Sequence, residues 1–209
     1  MSRCVIIGGA PIGDYAAVKG YLQLGDFCIF CDGGLRHRAG LGISPDLIVG
    51  DFDSYKNPHL VVETIALPRE KDDTDTMYAV KEALRRGFDR FLMLGAAGGR
   101  LDHTLGNLGA LLMLHHRGKQ ALLVDDFSEM EPVGQAPVSV PDSFPYFSLL
   151  NISGTAKGIT IENAKYPLTG GEISCDYQYG VSNEVLPGKT ASVRVEQGEL
   201  LLIRVRGDA

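Results

Sequence analysis

The sequence contains no apolar run long enough to cross a membrane as a helix. It has no surplus of positive charge either. Against 26 Asp and Glu it sets 20 Lys and Arg, and the net charge of −6 gives no reason to expect nucleic acid or an anionic membrane as partner. Cysteine is scarce, and its spacing argues against a metal or disulfide framework. Cys28 and Cys31 form a CxxC, but within Phe27-Cys28-Ile29-Phe30-Cys31, which reads as a strand. Positions three apart on a strand point to opposite faces, so the two thiols do not chelate one ion. Cys4 and Cys175 suggest no pair. No GxxxxGK[ST] loop occurs, nor a proper dinucleotide fingerprint, and no internal repeat is present. The start, Met1-Ser2-Arg3-Cys4-Val5-Ile6-Ile7-Gly8, reads as a first buried strand rather than a signal peptide, so the expected compartment is the cytoplasm.

What the chain does have is an alternation of strand and helix signals, then a change of pattern. Strands are predicted at Val5–Gly8, Phe27–Cys31, Leu47–Val49, Val61–Leu67, Arg90–Leu94 and Gln120–Asp125. Helical spacing lies between them at Tyr15–Leu24, Leu35–Ala39, Thr76–Arg86 and Leu101–His115. Such alternation predicts an α/β fold, a mostly parallel sheet with helices on both faces. Beyond Asp126 the stretch Glu131–Pro145 holds Pro132, Pro137, Pro141 and Pro145 and no helical period. Short β-type runs follow at Tyr146–Ile152, Gly158–Glu162, Ala191–Glu196 and Leu200–Val205, with Gly170-Gly171 among the turn residues. The expectation is an α/β domain over 1–126 and a small antiparallel β domain, a sandwich or barrel, over 127–209. A β domain that small is expected to lean on its neighbour or on a second chain.

Carboxylates cluster at the ends of the predicted strands: Asp32 in Cys31-Asp32-Gly33-Gly34, Asp51 and Asp53 in Gly50-Asp51-Phe52-Asp53-Ser54, and Asp72, Asp73 and Asp75 in Lys71-Asp72-Asp73-Thr74-Asp75. An open α/β sheet places its ligand crevice at that edge. Acids crowded there repel one another unless a cation lies among them, and a hard divalent ion holding a polyphosphate fits best. On an extended path Asp51 and Asp53 face the same way and can share an ion; the plainer alternative is an Asx-turn. Thr74 or Asp73 suits a helix cap, yet several acids plus Lys71 exceed what a helix start requires. Gly98-Gly99-Arg100 opens the helix at Leu101, where backbone N–H groups and a guanidinium suit an anion, and Asp102-His103 follows. His103 is as readily structural as substrate-facing; His37 and His59 are expected at the surface.

Taken in order, these strings resemble thiamine pyrophosphokinases: Asp32-Gly33-Gly34, Pro45-Asp46-Leu47-Ile48-Val49-Gly50-Asp51-Phe52-Asp53-Ser54, Lys71-Asp72-Asp73-Thr74-Asp75 and Gly98-Gly99-Arg100-Leu101-Asp102-His103. The β domain continues the likeness in Lys165-Tyr166-Pro167-Leu168 and Ser182-Asn183-Glu184. The resemblance implies a Rossmann-like catalytic domain, a β-sandwich and a homodimer with its active site at the subunit interface. It implies ATP and thiamine as substrates, with AMP and thiamine diphosphate as products. Carried over by motif, Asp51, Asp53 and Asp75 would hold Mg²⁺. Asp32, Gly33, Gly34, Asp72, Thr74, Gly98, Gly99 and Arg100 would line the nucleotide site. Lys71, Asp75, Arg100 and Asp102 would serve catalysis, and Asp102, Tyr166, Ser182 and Asn183 would meet thiamine. Asn163-Ala164 stands where the family often has Glu-Gly, Tyr166 where many members have Trp, and Leu35-Arg36 where Ala-Asn is commoner.

Two rival readings remain at this point. A hydroxymethylpterin diphosphokinase on the same scaffold would share the acids but lack the Tyr-Pro-Leu and Ser-Asn-Glu strings. A non-catalytic sensor of thiamine diphosphate or nucleotide would need affinity without the whole set of acids.

Overall fold

The computed structural model describes residues 3–207, and the chain divides into two units, Met1–Asp126 and Phe127–Ala209. In the first unit the strands are β1 (Cys4–Ile7), β2 (Phe27–Cys31), β3 (Leu47–Gly50), β4 (Glu63–Ala66), β5 (Arg90–Leu94) and β6 (Gln120–Val124). They pair in parallel in the order β4-β3-β2-β1-β5-β6. The chain winds outward from β1 to β4, then returns to the other side of β1 with β5. The strand order therefore reverses between β1 and β5, the switch point at which open α/β sheets bind ligands.

Helices α1 (Tyr15–Lys19), α2 (Arg38–Leu41), α3 (Asp75–Arg85) and α4 (Leu101–His116) and a 3₁₀ turn (Asp32–His37) connect the strands. β1, β3 and nearly all of β2 and β5 are buried along their whole length, as sheets covered on both faces require. Alternate residues Val5, Ile7, Phe30, Ile48, Leu92 and Leu94 share one core with Val18 of α1, Leu35 and Leu41. α3 packs against β1, β2 and β3. It buries Ala79, Val80 and Ala83, and Thr74 Oγ1 caps it by accepting from Met77 N at 3.1 Å.

Some boundaries differ from the sequence pattern. α1 stops at Lys19, with Gly20 as its cap. β4 is shorter than Val61–Leu67 because Val61 is fully exposed. His37, expected at the surface, is 2% exposed: Tyr15 Oη lies 2.8 Å from its Nδ1 and the Ala10 carbonyl 2.9 Å from its Nε2. Burial pushes the Cys28 and Cys31 thiols up to about 12, so both stay protonated and are poor ligands.

In the second unit β7 (Ser128–Val133), β13 (Leu200–Val205) and β9 (Tyr146–Leu150) form one antiparallel sheet. β11 (Leu168–Ser174), β10 (Thr155–Glu162), β12 (Thr190–Arg194) and β8 (Val138–Pro141) form the other. Val133, Phe147, Leu149, Leu200 and Leu202 from the first share a core with Val140, Ala156, Ile159, Ile161, Ile173, Ala191 and Val193 from the second. This is a β-sandwich. β7, β8 and β11 escape the sequence pattern. Pro132 and Pro141 sit inside strands, Pro141 at the end of edge strand β8, where a missing N–H is tolerated. Gly170-Gly171 is not a turn but part of β11, at an irregularity in its register with β10.

Candidate active site

Asp32 follows β2, Asp51 follows β3 and Asp75 opens α3. One carboxylate oxygen from each lies within 4.8 Å of the others. The chain folds this way because Asp32 is buried and must be satisfied: its oxygens accept from Ser54 N at 2.9 Å and Tyr55 N at 3.0 Å. Those bonds draw the loop after β3 over Asp32. Gly50 permits the approach, since a Cβ there would fall 2.6 Å from Asp32 Cβ.

Asp53 lies outside this trio. Phe52 adopts φ 59°, so the extended path on which Asp51 and Asp53 would share a face is broken between them. Asp53 N instead donates to Asp51 Oδ1 at 3.2 Å, an Asx-turn, and Asp53 Oδ1 accepts from Ser54 Oγ at 2.8 Å. Asp32 is the acid brought into the group in its place.

Lys71 joins the trio, with Nζ 2.5 Å from Asp51 Oδ2 and 3.0 Å from Asp75 Oδ1. Its hydrogen bond holds Asp51 below the usual carboxylate range. Burial pushes Asp75 up despite Lys71, and Asp51 and Asp53 add to the rise. Burial likewise raises Asp32. For Lys71, burial opposes its charge, but Asp51 and Asp75 outweigh it and its pKa is raised. Asp75 Oδ1 is buried and accepts no properly directed hydrogen bond, because Lys71 stands off line. Three hard carboxylate donors gathered at one place are the ligand type that a small divalent cation such as Mg²⁺ takes.

Beside the acids lies a cleft of roughly 390 Å³ at the switch point, within the size range of small-ligand sites. Gly9–Pro11 after β1, Gly33 and Arg36 after β2, Ser54 after β3, Thr74–Thr76 before α3, and Gly95, Ala96 and Gly98–Arg100 after β5 line it, with His103 and Asn107 of α4. Asn107 Nδ2 donates to Ala96 O at 2.7 Å, and Gly98 N donates to Thr104 Oγ1 at 3.0 Å, so the β5–α4 turn is pinned from α4. Gly98 and Gly99 take φ of 96° and 67°, which glycine alone adopts without strain.

Several predicted residues stand apart from the cleft wall. Gly34 packs on β1, where a Cβ would meet Ile7 O at 2.1 Å, so its role is steric. Asp72 is exposed. Asp102 is not part of the lining; it pairs with Arg100 (Nη2–Oδ2 2.6 Å, Nε–Oδ1 3.1 Å), and that guanidinium holds it at about 2. Sequence reasoning gave no role to Asn107, although it ends the string Gly98–Asn107 in which the family likeness lies. It assigned no role to Arg36 and left His103 open.

In the sandwich, Tyr166 is exposed while Asn183 is buried. Asn183 Oδ1 accepts from Tyr166 N at 3.0 Å and Glu184 N at 2.9 Å, and Nδ2 donates to Tyr166 O at 2.8 Å. The amide is thus spent on holding the Tyr166 backbone. Ser182 is exposed at φ 57°, its N–H donating to Ser148 Oγ at 3.0 Å.

A doubly wound α/β unit with acids and a glycine-lined cleft at its switch point, joined to a β-sandwich, defines a nucleotide-dependent transferase. Residues 18–123 match the model of the thiamin pyrophosphokinase catalytic domain, and 137–200 that of the thiamin pyrophosphokinase vitamin B1 binding domain. The chain is an enzyme of the thiamin pyrophosphokinase family. It is 28% identical over 212 residues to the thiamine pyrophosphokinase of Bacillus subtilis, covering 98% of this chain and 99% of the relative. The solved structure of the Bacillus subtilis protein superposes with a TM-score of 0.86 at 25% identity over 98% and 99% of the two chains. That of the Geobacillus thermodenitrificans protein gives 0.84 at 26% over 99% and 98%. The yeast thiamin pyrophosphokinase, at 14% identity and a TM-score of 0.77 over 98% and 86%, shares the fold.

Proposed function

We propose that this protein transfers a pyrophosphoryl group from ATP to the hydroxyl of thiamine, giving thiamine diphosphate and AMP. The observation that carries this reading is the convergence of Asp32, Asp51 and Asp75 beside a mononucleotide-sized cleft. Unit 1–126 would bind ATP and catalyse; unit 127–209 would bind thiamine and pair two chains into a cytoplasmic homodimer.

Asp51 and Asp75, with Asp32, are the residues that would hold Mg²⁺. That ion would supply charge neutralisation at phosphate oxygens. Gly33, Thr74, Gly99 and Arg100 border the cleft in which the nucleotide would lie. The thiamine hydroxyl oxygen attacks the β-phosphorus in line, a new O–P bond forms, and the αβ-bridging bond breaks with its electrons leaving on AMP. Lys71 and Arg100 take up charge that grows on the bridging oxygen. The hydroxyl proton passes to a carboxylate at the edge of the cleft, Asp75 or Asp102. Asp102, paired with Arg100 through two hydrogen bonds, also orients that guanidinium. Ser182 and Tyr166 would meet thiamine, with Asn183 fixing Tyr166, and the Ser182 turn of one protomer would complete the site on the other.

Incubation with ATP, thiamine and Mg²⁺ followed by product identification tests the proposal. AMP and thiamine diphosphate in equal amounts are expected. AMP formed only with a hydroxymethylpterin, or no turnover with either acceptor, overturns it.

A further inference from the structure

Three cations stand about the acids and the cleft, and they differ in how their charge is used. Lys71 is committed to Asp51 and Asp75, and Arg100 to Asp102. Arg36 has no carboxylate partner among the described residues, although it lines the cleft. Among the described residues its one hydrogen bond runs from Nε to Gly33 O at 2.8 Å, within the 3₁₀ turn Asp32–His37. That bond anchors the guanidinium at its inner nitrogen and leaves Nη1 and Nη2 as an open fork. Gly33, to whose carbonyl it is tied, also lines the cleft, and a Cβ on Gly33 would lie 3.5 Å from Arg36 Nη2. The neighbouring Arg38 is exposed too, but it lines only a smaller cavity with Tyr55 and Pro58, which Arg36 also borders, and it does not reach the cleft.

An unpaired arginine in a protein of net charge −6, tethered at one nitrogen beside glycines, is arranged to receive an anion. A carboxylate already in place would have to be displaced first, which is the situation of Lys71 and Arg100. Arg36 needs no such exchange. We propose that Arg36 clamps the polyphosphate of the bound nucleotide through Nη1 and Nη2, and so sets affinity for the nucleotide rather than for the acceptor. This rests on the nucleotide reading given above. Because the contact is made in the ground state and the transition state alike, its loss raises KM for the nucleotide and leaves kcat at saturation nearly unchanged.

Titration calorimetry with Mg²⁺ and α,β-methylene-ATP, which is not cleaved at the αβ position, tests the clamp on the whole protein. Arg36→Gln is expected to weaken binding roughly ten- to hundredfold. Arg36→Lys, which keeps charge but not the fork, falls between, and Arg38→Gln, the same charge change outside the cleft, binds as the unaltered protein does. KM for thiamine stays constant throughout. Unaltered affinity in Arg36→Gln, or an equal loss in Arg38→Gln, overturns the clamp. If the unaltered protein fails to bind the analogue, the nucleotide reading falls and the clamp with it.

Discussion

Lys71 Nζ stands between Asp51 and Asp75, 2.5 Å from one carboxylate and 3.0 Å from the other. An ammonium there neutralises acids that would otherwise repel, and in the proposed reaction it would also meet the charge of the transferred phosphate. Replacing it by Met leaves Asp51 and Asp75 facing each other unscreened. Lys71→Met is expected to cut turnover at least about a hundredfold, the scale of one lost electrostatic stabiliser. Far-ultraviolet circular dichroism should show the fold retained. Turnover within twofold of the unaltered enzyme would remove Lys71 from the catalytic set.

Asp75 turns a buried oxygen towards Lys71 and the other acids, at the start of a helix that Thr74 already caps. Its charge is therefore not needed to begin α3. Asp75→Asn keeps the shape and removes a hard ligand, so Mn²⁺ binding followed by electron paramagnetic resonance should weaken. Activity should fall by about two or more orders of magnitude with thermal stability little changed. Undiminished Mn²⁺ affinity would take Asp75 out of the metal site.

Gly50 links the fold to the site more directly than any side chain. A methyl group there would stand 2.6 Å from Asp32 Cβ and 3.1 Å from Asp32 Cα, so β3 and the start of the 3₁₀ turn must part. Gly50→Ala should cost about 1–3 kcal/mol, the usual penalty of overpacking. Because the displaced residue is Asp32, Mg²⁺ affinity should fall further than stability does. Urea denaturation and metal titration on one preparation separate the two effects.

Much of this was legible in the sequence because periodicity records burial. Continuous apolar runs marked β1, β2, β3 and β5, and the acids after them marked the sheet edge. What escaped depended on contacts remote in sequence. Nothing before Phe52 or after it announces φ 59°, yet that one residue turns Asp53 off the face it was expected to share with Asp51. Asn107 reaches the cleft only because α4 runs back beside the Ala96 carbonyl. β7, β8 and β11 hid behind proline and glycine, whose local preference was overruled by sheet pairing.

In the sandwich, the division of labour between Asn183 and Tyr166 separates positioning from contact. Asn183→Ala removes bonds to Tyr166 N, Tyr166 O and Glu184 N and leaves partly buried backbone groups short of partners. KM for thiamine should rise about tenfold or more while KM for ATP holds. Tyr166→Phe, which keeps the ring, should change either constant less than Tyr166→Ala. An ATP-specific defect in Asn183→Ala would contradict the assignment of this unit to thiamine.

Away from the site, Glu82 makes the stability of the first unit depend on acid. It is 6% exposed on α3 and accepts from Arg85 Nε and Nη2 at 2.8 and 2.7 Å and from Arg86 Nε at 2.7 Å. These hydrogen bonds, Arg85 foremost, lower its pKa to about 2 from 4.5. A carboxylate depressed in the folded state binds its proton less readily there than in the unfolded chain. Its contribution is therefore complete above the unfolded value of 4.5 and is lost as pH falls towards 2. Glu82→Gln should cost about 1–3 kcal/mol at pH 7, since the arginines lose their counter-charge. The gap between variant and unaltered protein should narrow below pH 4.5 and close near pH 2. Equilibrium urea unfolding at stepped pH measures it directly. A gap independent of pH across that window would mean that Glu82 acts through shape, not charge.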